Sequence, residues 1–154
     1  MAHKEEAAER PVATNRKARH EYAVLDTIEA GLVLTGTEVK SIRQGNVNLA
    51  DGFARMDRGE VWLEGVHISP YKQGSIANVD PVRKRKLLLH RREIRKLQSR
   101  LTETGVTLVP LKLYFKGNVA KVQLGLCRGK RAYDKRQAIA KREADRSLRR
   151  MIRR

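Results

Sequence analysis

The stretch RGKRAYDKR, residues 128–136, places five cations around one tyrosine and one aspartate. Gly129 lets the backbone approach a phosphate, and Tyr133 offers a ring on which a base can stack. Asp134 can hold one of the cations that follow it in place. The cations after the glycine are Lys130, Arg131, Lys135 and Arg136. Because this arrangement buries no apolar surface, a role in folding alone does not account for it, and the stretch predicts RNA binding.

A second basic group precedes the first predicted strand. It consists of Asn15, Arg16, Lys17, Arg19 and His20. The amide and the imidazole can add directed hydrogen bonds to the ionic contacts, so we interpret the group as an RNA contact, with a merely solvated arm as the alternative. A third run, RKRK at residues 83–86, is open to both interpretations equally, because Lys and Arg on a loop often only keep a protein soluble.

The sequence carries no constellation typical of an enzyme. GLCRGKR at residues 125–131 is too short between its glycines for a phosphate loop, and no Ser or Thr follows the lysine. The histidines are scattered, and Cys127 is interpreted as a packed thiol. Four acids that flank turns are interpreted as solvated carboxylates: Asp51, Asp57, Glu60 and Glu64. We expect no catalytic residue, no metal and no cofactor, and a metal-dependent nuclease is the weakest alternative.

The overall charge points to a polyanionic partner. The chain has 154 residues with 34 Lys and Arg against 17 Asp and Glu, a formal net charge of +17. Aromatic residues make up only 5%, so phosphate contacts should outweigh base stacking. One cysteine excludes a disulfide within the chain, and no long apolar run indicates a signal peptide or a membrane span. These features predict a cytoplasmic protein with a single domain plus tails.

Short segments rich in Val, Leu, Ile and aromatic residues predict a mainly β fold. Two of them, LVPLKLYF and VAKVQLGL, are separated by Gly117 and Asn118, which suit a tight hairpin. Alternate residues of the first should share a face. The predicted inward residues are Val109, Leu111, Leu113 and Phe115, and the outward ones are Pro110, Lys112, Tyr114 and Lys116. The same sheet would then supply a core and a basic, aromatic binding face.

Two helices are predicted between the strands. Thr35 and Glu38 have capping-box spacing, and Gly45 can end the helix that follows by adopting the left-handed region. The second helix, within residues 90–105, should lie on the sheet through an apolar stripe formed by Ile94, Leu97 and Leu101. Many short strands with interspersed helices predict a small closed β-barrel of the oligonucleotide-binding (OB) type with two or three flanking helices, since closure removes exposed sheet edges.

Both ends of the chain are predicted to lie outside this barrel, which is assigned to residues 15–127. Residues 1–14 mix charges with alanine and are predicted to be a mobile arm. Residues 128–154 form a basic tail with roughly half of the excess charge. Like charges four residues apart, as at Arg142 and Arg146, make its helix marginal, so the tail is predicted to be disordered in isolation and helical once RNA neutralises its arginines.

Several long words of the sequence are shared with a known family. They are NRKARHEY, TGTEVKS, GNVNLAD, HISPY, DPVRKRKLLLHRREI, LVPLKLYFKG and GKRAYDKR, in that order from Asn15 into the tail. In these words the chain resembles the SmpB family, the SsrA-binding proteins of trans-translation. The resemblance implies a monomeric protein that binds the tRNA-like domain of transfer-messenger RNA (tmRNA). It also implies delivery of that RNA with EF-Tu·GTP to stalled ribosomes, where the tail enters the decoding centre and the empty mRNA channel.

The resemblance also implies roles for individual residues. The RNA-binding positions of the family fall on Asn15, His20, Glu29 and Leu88, with Lys17, Arg19, Lys40 and Arg43 as neighbours. Leu88 is open to a second interpretation, as support for the core. The ribosome-binding positions of the family fall on Gly129, Asp134, Lys135 and Arg136, with Tyr133 as a stacking ring, and on the apolar pair Met151 and Ile152. Arg142 and Arg146 are predicted as further ribosome contacts from the charge of the tail, since its arginine content is specific to this chain. A general single-strand-binding or ribosomal structural protein with the same barrel is the alternative function.

Overall fold

The computed structural model describes residues 9–73 and 78–152, and for residues 131–140 and 152 it describes the backbone alone. The strands are β1 (Glu9–Thr14), β2 (Tyr22–Leu32), β3 (Val47–Asn48), β4 (Phe53–Asp57), β5 (Glu60–Glu64), β6 (His67–Ile68), β7 (Arg85–Leu88), β8 (Val106–Lys116) and β9 (Val119–Gly129). The helices are α1 (Arg16–Glu21), α2 (Gly36–Arg43), α3 (Arg91–Arg100) and α4 (Lys130–Ile152). None of the helices in these ranges is long and apolar enough to cross a membrane.

Most strands belong to one antiparallel sheet in the order β1-β8-β4-β5-β7-β2-β9, in which β8 also pairs with β9. Strands β3 and β6 form a separate small sheet. The predicted hairpin of β8 and β9 is confirmed, since Lys116 lies opposite Val119 and Gly117 has a φ of 63°. Over the described residues the fold is mainly β with four helices; α1, α2 and α3 are the two or three flanking helices predicted, and α4 is the tail.

The main core lies between the sheet and the two predicted helices. Leu63, Leu108 and Leu124 of the strands each have an exposed fraction of 0%. Ile42 of α2 is buried as completely, and Leu97 of α3 is 2% exposed, so both helices pack on the sheet as expected. Each such side chain stabilises the fold by about 2 kcal/mol through the apolar surface it removes from water.

The start and end of α2 follow the sequence prediction. Thr35 Oγ1 accepts a hydrogen bond from the Glu38 backbone N–H at 3.4 Å, and Glu38 Oε1 accepts one from the Thr35 N–H at 2.9 Å. This reciprocal pair is the predicted capping box. Gly45 has a φ of 77°, which glycine adopts without strain, and its N–H donates to the Ile42 carbonyl at 2.9 Å.

The alternation predicted for β8 is interrupted by a bulge at Leu111. The pairing with β9 shifts register between residues 110 and 112, so that Leu111 is an extra residue. Leu113 and Phe115 join the main core. A second, smaller core consists of Ala18, Val109, Leu111 and Cys127. The prediction that the four apolar residues of β8 share one face was wrong, because one inserted residue reverses the side to which the following side chains project.

The mobile arm predicted at residues 1–14 is wrong from Glu9 onwards, because these residues form β1. Glu9 lies opposite Lys116 and Thr14 opposite Lys112 of β8. The added strand pairs backbone groups that would otherwise leave an open edge on β8. Pro11 is tolerated because β1 is an edge strand that pairs only with β8, so its missing N–H does not interrupt hydrogen bonds on two sides. Residues 1–8 lie outside the described ranges.

The basic tail begins two residues later than predicted, because β9 continues to Gly129. From Lys130 to Ile152 the backbone is helical, and residues 141–151 are exposed. A tail that is disordered in isolation is therefore not confirmed. Arg142 and Arg146 lie one turn apart on this helix and repel each other by a few tenths of a kcal/mol, about 0.3.

Candidate nucleic-acid interface

Asn15 holds α1 onto the sheet and is only 2% exposed. Its Oδ1 accepts a hydrogen bond from the Ala18 N–H at 3.0 Å, which caps α1. Its Nδ2 donates to the Leu49 carbonyl at 3.0 Å and to the Pro110 carbonyl at 2.9 Å. Both amide hydrogens are therefore used inside the protein. This geometry shows that Asn15 positions the basic helix, while a direct contact of Asn15 with RNA stays a prediction.

We expect Asn15→Ala to lower the free energy of unfolding by about 2–3 kcal/mol, because it removes a helix cap and the two buried hydrogen bonds to the Leu49 and Pro110 carbonyls. Urea unfolding followed by circular dichroism measures this change. Asn15→Asp is the matched variant, since it keeps the capping oxygen and loses both donors, and it should also be destabilised. If Asn15→Ala is as stable as the wild type but binds RNA much more weakly, Asn15 contacts RNA directly.

The exposed side of α1 carries the predicted cationic side chains. Lys17, Arg19 and His20 are exposed, and Lys17 Nζ lies 3.3 Å from Asp51 Oδ1. A groove beside the helix, here named the α1 groove, is lined by Arg19, Tyr22, Gln123 and Lys130 among others. The structure therefore brings the N-terminal basic group and the start of the tail to one place. Sequence reasoning missed α1 itself, because six residues are too few to show a helical period.

A polar face formed by β2, β9 and β8 adjoins the α1 groove. Glu29, Gln123 and Lys112 lie opposite one another across these strands, and Lys121 lies opposite Tyr114. Paired residues and residues two apart project to the same side, so they form one surface. This surface is named the outer sheet face, and its residues are Thr27, Glu29, Lys112, Tyr114, Lys121 and Gln123. Two of them, on β2 and β9, also line the α1 groove, so the two surfaces are continuous.

Tyr114 and Glu29 position Lys112 of the outer sheet face and the neighbouring Lys116. Tyr114 projects to the predicted side of the sheet but is only 4% exposed. Its hydroxyl donates to Glu29 Oε2, and Glu29 Oε1 lies 3.7 Å from Lys116 Nζ. Lys112 Nζ lies 4.9 Å from the centroid of the Tyr114 ring. Burial, followed by the hydrogen bond to the anionic Glu29, raises the pKa of Tyr114, so its hydroxyl remains a donor and Glu29 acts as an organising acceptor.

Leu88 ends β7 beside the outer sheet face. It lies opposite Gly31 of β2 and is 55% exposed. A Cβ added at Gly31 would lie 3.3 Å from the Leu88 Cβ, so the leucine covers this glycine. Of the two interpretations of Leu88, its exposure favours an RNA contact over support for the core.

Lys40 and Arg43 lie on the exposed side of α2. Lys40 Nζ is 5.4 Å from the centroid of the Tyr71 ring, and Arg43 Cζ is 5.7 Å from that of Phe115. These cation–π contacts orient both cations and leave N–H donors for an anion. Neither residue belongs to the α1 groove or to the outer sheet face, so α2 presents a separate basic surface.

The predicted ribosome-binding residues follow directly on the sheet. Gly129, the last residue of β9, lies opposite Tyr22. Arg142, Arg146 and Met151 are exposed on α4, and Met151 has an exposed fraction of 78%. The predicted side chains that lie outside the described part of the chain are Arg131, Tyr133, Asp134, Lys135, Arg136 and Ile152. Their roles stay predictions.

Arg85, within the basic run at residues 83–86, is buried in an ion pair. It is 0% exposed, and its Nε donates to Glu38 Oε2 at 2.6 Å. Its Nη1 and Nη2 donate to the carbonyls of Val66 and Pro81 at 2.7 and 2.9 Å. Arg83 Nε donates to the other Glu38 oxygen at 3.1 Å. Sequence reasoning missed this network, because the only signal at Glu38 was its place in a capping box.

The two lysines of the same run are paired with acids across the sheet. Lys84 Nζ lies 3.4 Å from Asp57 Oδ2 and 4.8 Å from the centroid of the Trp62 ring. Lys86 Nζ lies 3.1 Å from Glu60 Oε1. Arg85 of the run therefore serves the fold, whereas an RNA contact by the partly exposed Lys84 and Lys86 stays a prediction.

Cys127 is fully buried in the second core, which confirms its interpretation as a packed thiol. Burial raises the pKa of Cys127 to about 11, so its reactive thiolate is scarce at neutral pH. Within residues 9–73 and 78–152, no three His, Cys, Asp or Glu side chains come together in a way that could hold a metal ion.

The sequence matches known proteins along almost its whole length. A family model described as SmpB protein matches residues 12–154. The chain belongs to the SmpB family. An SsrA-binding protein of Enterococcus faecalis is 57% identical over 141 residues, which are 92% of this chain and 92% of that protein. An SsrA-binding protein of Carboxydothermus hydrogenoformans is 57% identical over 145 residues, 94% of this chain and 97% of the relative.

A solved structure is similar in fold as well as in sequence. It is described as "tmRNA-SmpB: a journey to the center of the bacterial ribosome", and it superposes with a TM-score of 0.67 at 56% identity. The superposition covers 79% of this chain and 85% of the solved one. The SmpB range begins within β1 and includes α1, the outer sheet face and α4, so every surface described above belongs to the matched part.

Proposed function

We propose that this protein binds the tRNA-like domain of tmRNA and delivers it to stalled ribosomes for trans-translation. Membership in the SmpB family, relatives that are named SsrA-binding proteins and a similar solved chain from a tmRNA-SmpB study support the proposal. The observation that carries it is the continuity of the α1 groove with the outer sheet face. This surface joins cations from α1, the sheet and the start of the tail, as the backbone of one folded RNA requires.

The proposed RNA-binding domain is a closed OB-like barrel. Strand β8 pairs with β4 on one side and also with β9, which supports a sheet whose ends meet. Closure would leave the outer sheet face fixed in shape, so that an RNA could be recognised by its form. This domain extends from β1 to Gly129, with α4 as the tail.

The tail is proposed to enter the decoding centre and the empty mRNA channel as a helix. The arginines exposed on α4 suit a channel walled by ribosomal RNA, and a bound mRNA would exclude them by occupying the same space. Neutralisation by RNA would also remove the repulsion between Arg142 and Arg146. The roles of Gly129, Tyr133, Asp134, Lys135 and Arg136 at the decoding centre, and of Met151 and Ile152 in tagging, are part of this proposal.

The remaining elements of the proposal concern the setting. The protein is proposed to act in the cytoplasm as a monomer without enzyme activity, in a delivery complex with EF-Tu·GTP. The cationic surface and the SmpB relationship support an RNA-binding adaptor, because charge complementarity alone can hold and present an RNA.

Selectivity for one RNA tests the proposed function. The affinity is measured for the isolated tRNA-like domain of tmRNA and for an ordinary tRNA across a salt series. We expect a preference for the tRNA-like domain of about tenfold or more, with affinities for both falling as salt rises. Similar affinities for the two RNAs would favour the alternative, a general RNA-binding or ribosomal structural protein.

A further inference from the structure

A groove of about 380 Å³ lies between β1, the end of α2 and the turn that joins β8 to β9. Arg10 of β1 and Arg43, the last residue of α2, both line it. Phe115 and Asn118 line it as well, and none of its described lining residues is a carboxylate. Two guanidinium groups from elements far apart in the chain therefore share one acid-free groove.

Neither arginine has a partner that the fold needs. Across the two described ranges, no carboxylate oxygen lies within 4.0 Å of the Arg10 or Arg43 guanidinium, and neither group donates a hydrogen bond. Arg55, by contrast, pairs with Glu64 in the same sheet. Arginines at the groove therefore leave their donors available to a ligand from outside.

Phe115 contacts the guanidinium of Arg43 and is the strand partner of Arg10. Arg43 Cζ lies 5.7 Å from the centroid of Phe115, and Arg10 lies directly opposite Phe115 in the pairing of β1 with β8. A planar guanidinium held against a ring presents its N–H edge, which matches two oxygens of a phosphate. Asn118 adds an amide that can donate to a neutral oxygen such as that of a ribose.

We propose that this groove binds the phosphodiester backbone of a structured RNA, with Arg10 and Arg43 as its phosphate ligands. The groove offers donors without a matching set of acceptors, so it suits phosphate and sugar and does not read bases. The inference rests on the proposed function for the choice of RNA: the backbone belongs either to the tRNA-like domain of tmRNA or to ribosomal RNA. It extends the RNA-binding surface onto β1 through Arg10, which no RNA-binding prediction from the sequence included.

Salt-dependent binding of full-length variants tests the groove. Arg10→Gln, Arg43→Gln and the double variant are titrated with the isolated tRNA-like domain and, separately, with small ribosomal subunits. With one of these two RNAs, each single variant should bind about fivefold more weakly and lower the slope of log K against log salt by about one. Arg43→Lys should keep the slope but not the full affinity, since lysine lacks the planar edge.

The matched control is Arg58→Asn, which removes one exposed arginine outside the groove. Arg58 has a φ of 52°, a conformation that asparagine tolerates, and all variants are compared after their thermal midpoints are shown to match. The proposal would be overturned if, with both RNAs, Arg10→Gln and Arg43→Gln gave the same slope of log K against log salt as Arg58→Asn. Failure of the proposed function looks different: the wild type would bind tRNA and tmRNA alike, while the groove variants would still lower the slope.

Discussion

Replacing Glu38 with glutamine is expected to lower the free energy of unfolding by about 3–5 kcal/mol. The substitution removes the only negative charge that contacts Arg85 in the described structure, and Arg85 is 0% exposed. A buried guanidinium without a counter-charge keeps its full desolvation cost, and burial already lowers the pKa of Arg85. The glutamine amide would also place donors against the donors of Arg83.

Urea unfolding of Glu38→Gln and of Glu60→Gln measures this effect against a matched control. Glu60 makes the same kind of pair with Lys86, at 3.1 Å, but both side chains are more than two-fifths exposed. Solvent screening should hold its contribution below about 1 kcal/mol. Equal losses in the two variants would contradict the central role given to the buried pair.

The same carboxylate gives the fold an acid-sensitive component. Burial alone would raise the pKa of Glu38, but the hydrogen bonds from Arg83, the Thr35 N–H and Arg85 outweigh it and hold the pKa below its ordinary value of 4.5. A pKa that is lower in the folded state stabilises the fold above the unfolded-state value, and this stability is lost as the pH falls through the folded-state value. Below pH 4.5 the wild type should therefore lose stability more steeply than Glu38→Gln.

A chain that ends at Arg136 is expected to bind the tRNA-like domain of tmRNA with nearly unchanged affinity. It should no longer support tagging on stalled ribosomes. The truncation keeps the α1 groove with Lys130 and the whole outer sheet face. It removes the exposed part of α4, whose arginines are proposed to enter the mRNA channel. Binding is measured by titration of labelled RNA, and tagging by the tagged peptide formed in a translation reaction on an mRNA without a stop codon.

Full-length Arg142→Gln with Arg146→Gln is the companion to the truncation, since it keeps the length of the tail and removes charge from two successive turns. We expect reduced tagging and unchanged tmRNA affinity. Loss of tmRNA binding in either variant would show that the tail belongs to the RNA-binding surface, against the proposed division between sheet and tail.

Local signals in the sequence were sufficient for the elements that they govern. The capping box of Thr35 and Glu38, the apolar stripe on α3 and the turn at Gly117 each depend on residues within one or two turns of chain, and each is confirmed. The candidate surfaces were predicted in part for the same reason: runs of Lys and Arg are visible in the sequence whether or not the fold is known.

Long-range pairing decided what the sequence did not reveal. The bulge at Leu111 depends on the register with β9, where a Cβ added at Gly125 would lie only 2.7 Å from Leu111 Cδ1. Arg85 and Lys17 both stand in basic runs, yet Arg85 is buried against Glu38 while Lys17 is exposed beside Asp51. The place of each cation in the fold, and not the run, decides which of them faces solvent. Asn15 likewise finds its partners 34 and 95 residues away.

The passage from β9 to α4 has a mechanical consequence. Gly129 still pairs with Tyr22 and Lys130 is already helical, so the strand passes into the helix without an intervening loop, and a reorientation of the helix would change the torsions at this junction. A Cβ added at Gly129 would meet nothing within 4 Å, so there is open space on that side of the junction. A larger reorientation would have to separate the last pairs between β2 and β9, first Tyr22 from Gly129 and then Ala23 from Arg128. Residues released from the end of β9 would then lengthen the connection between the sheet and α4.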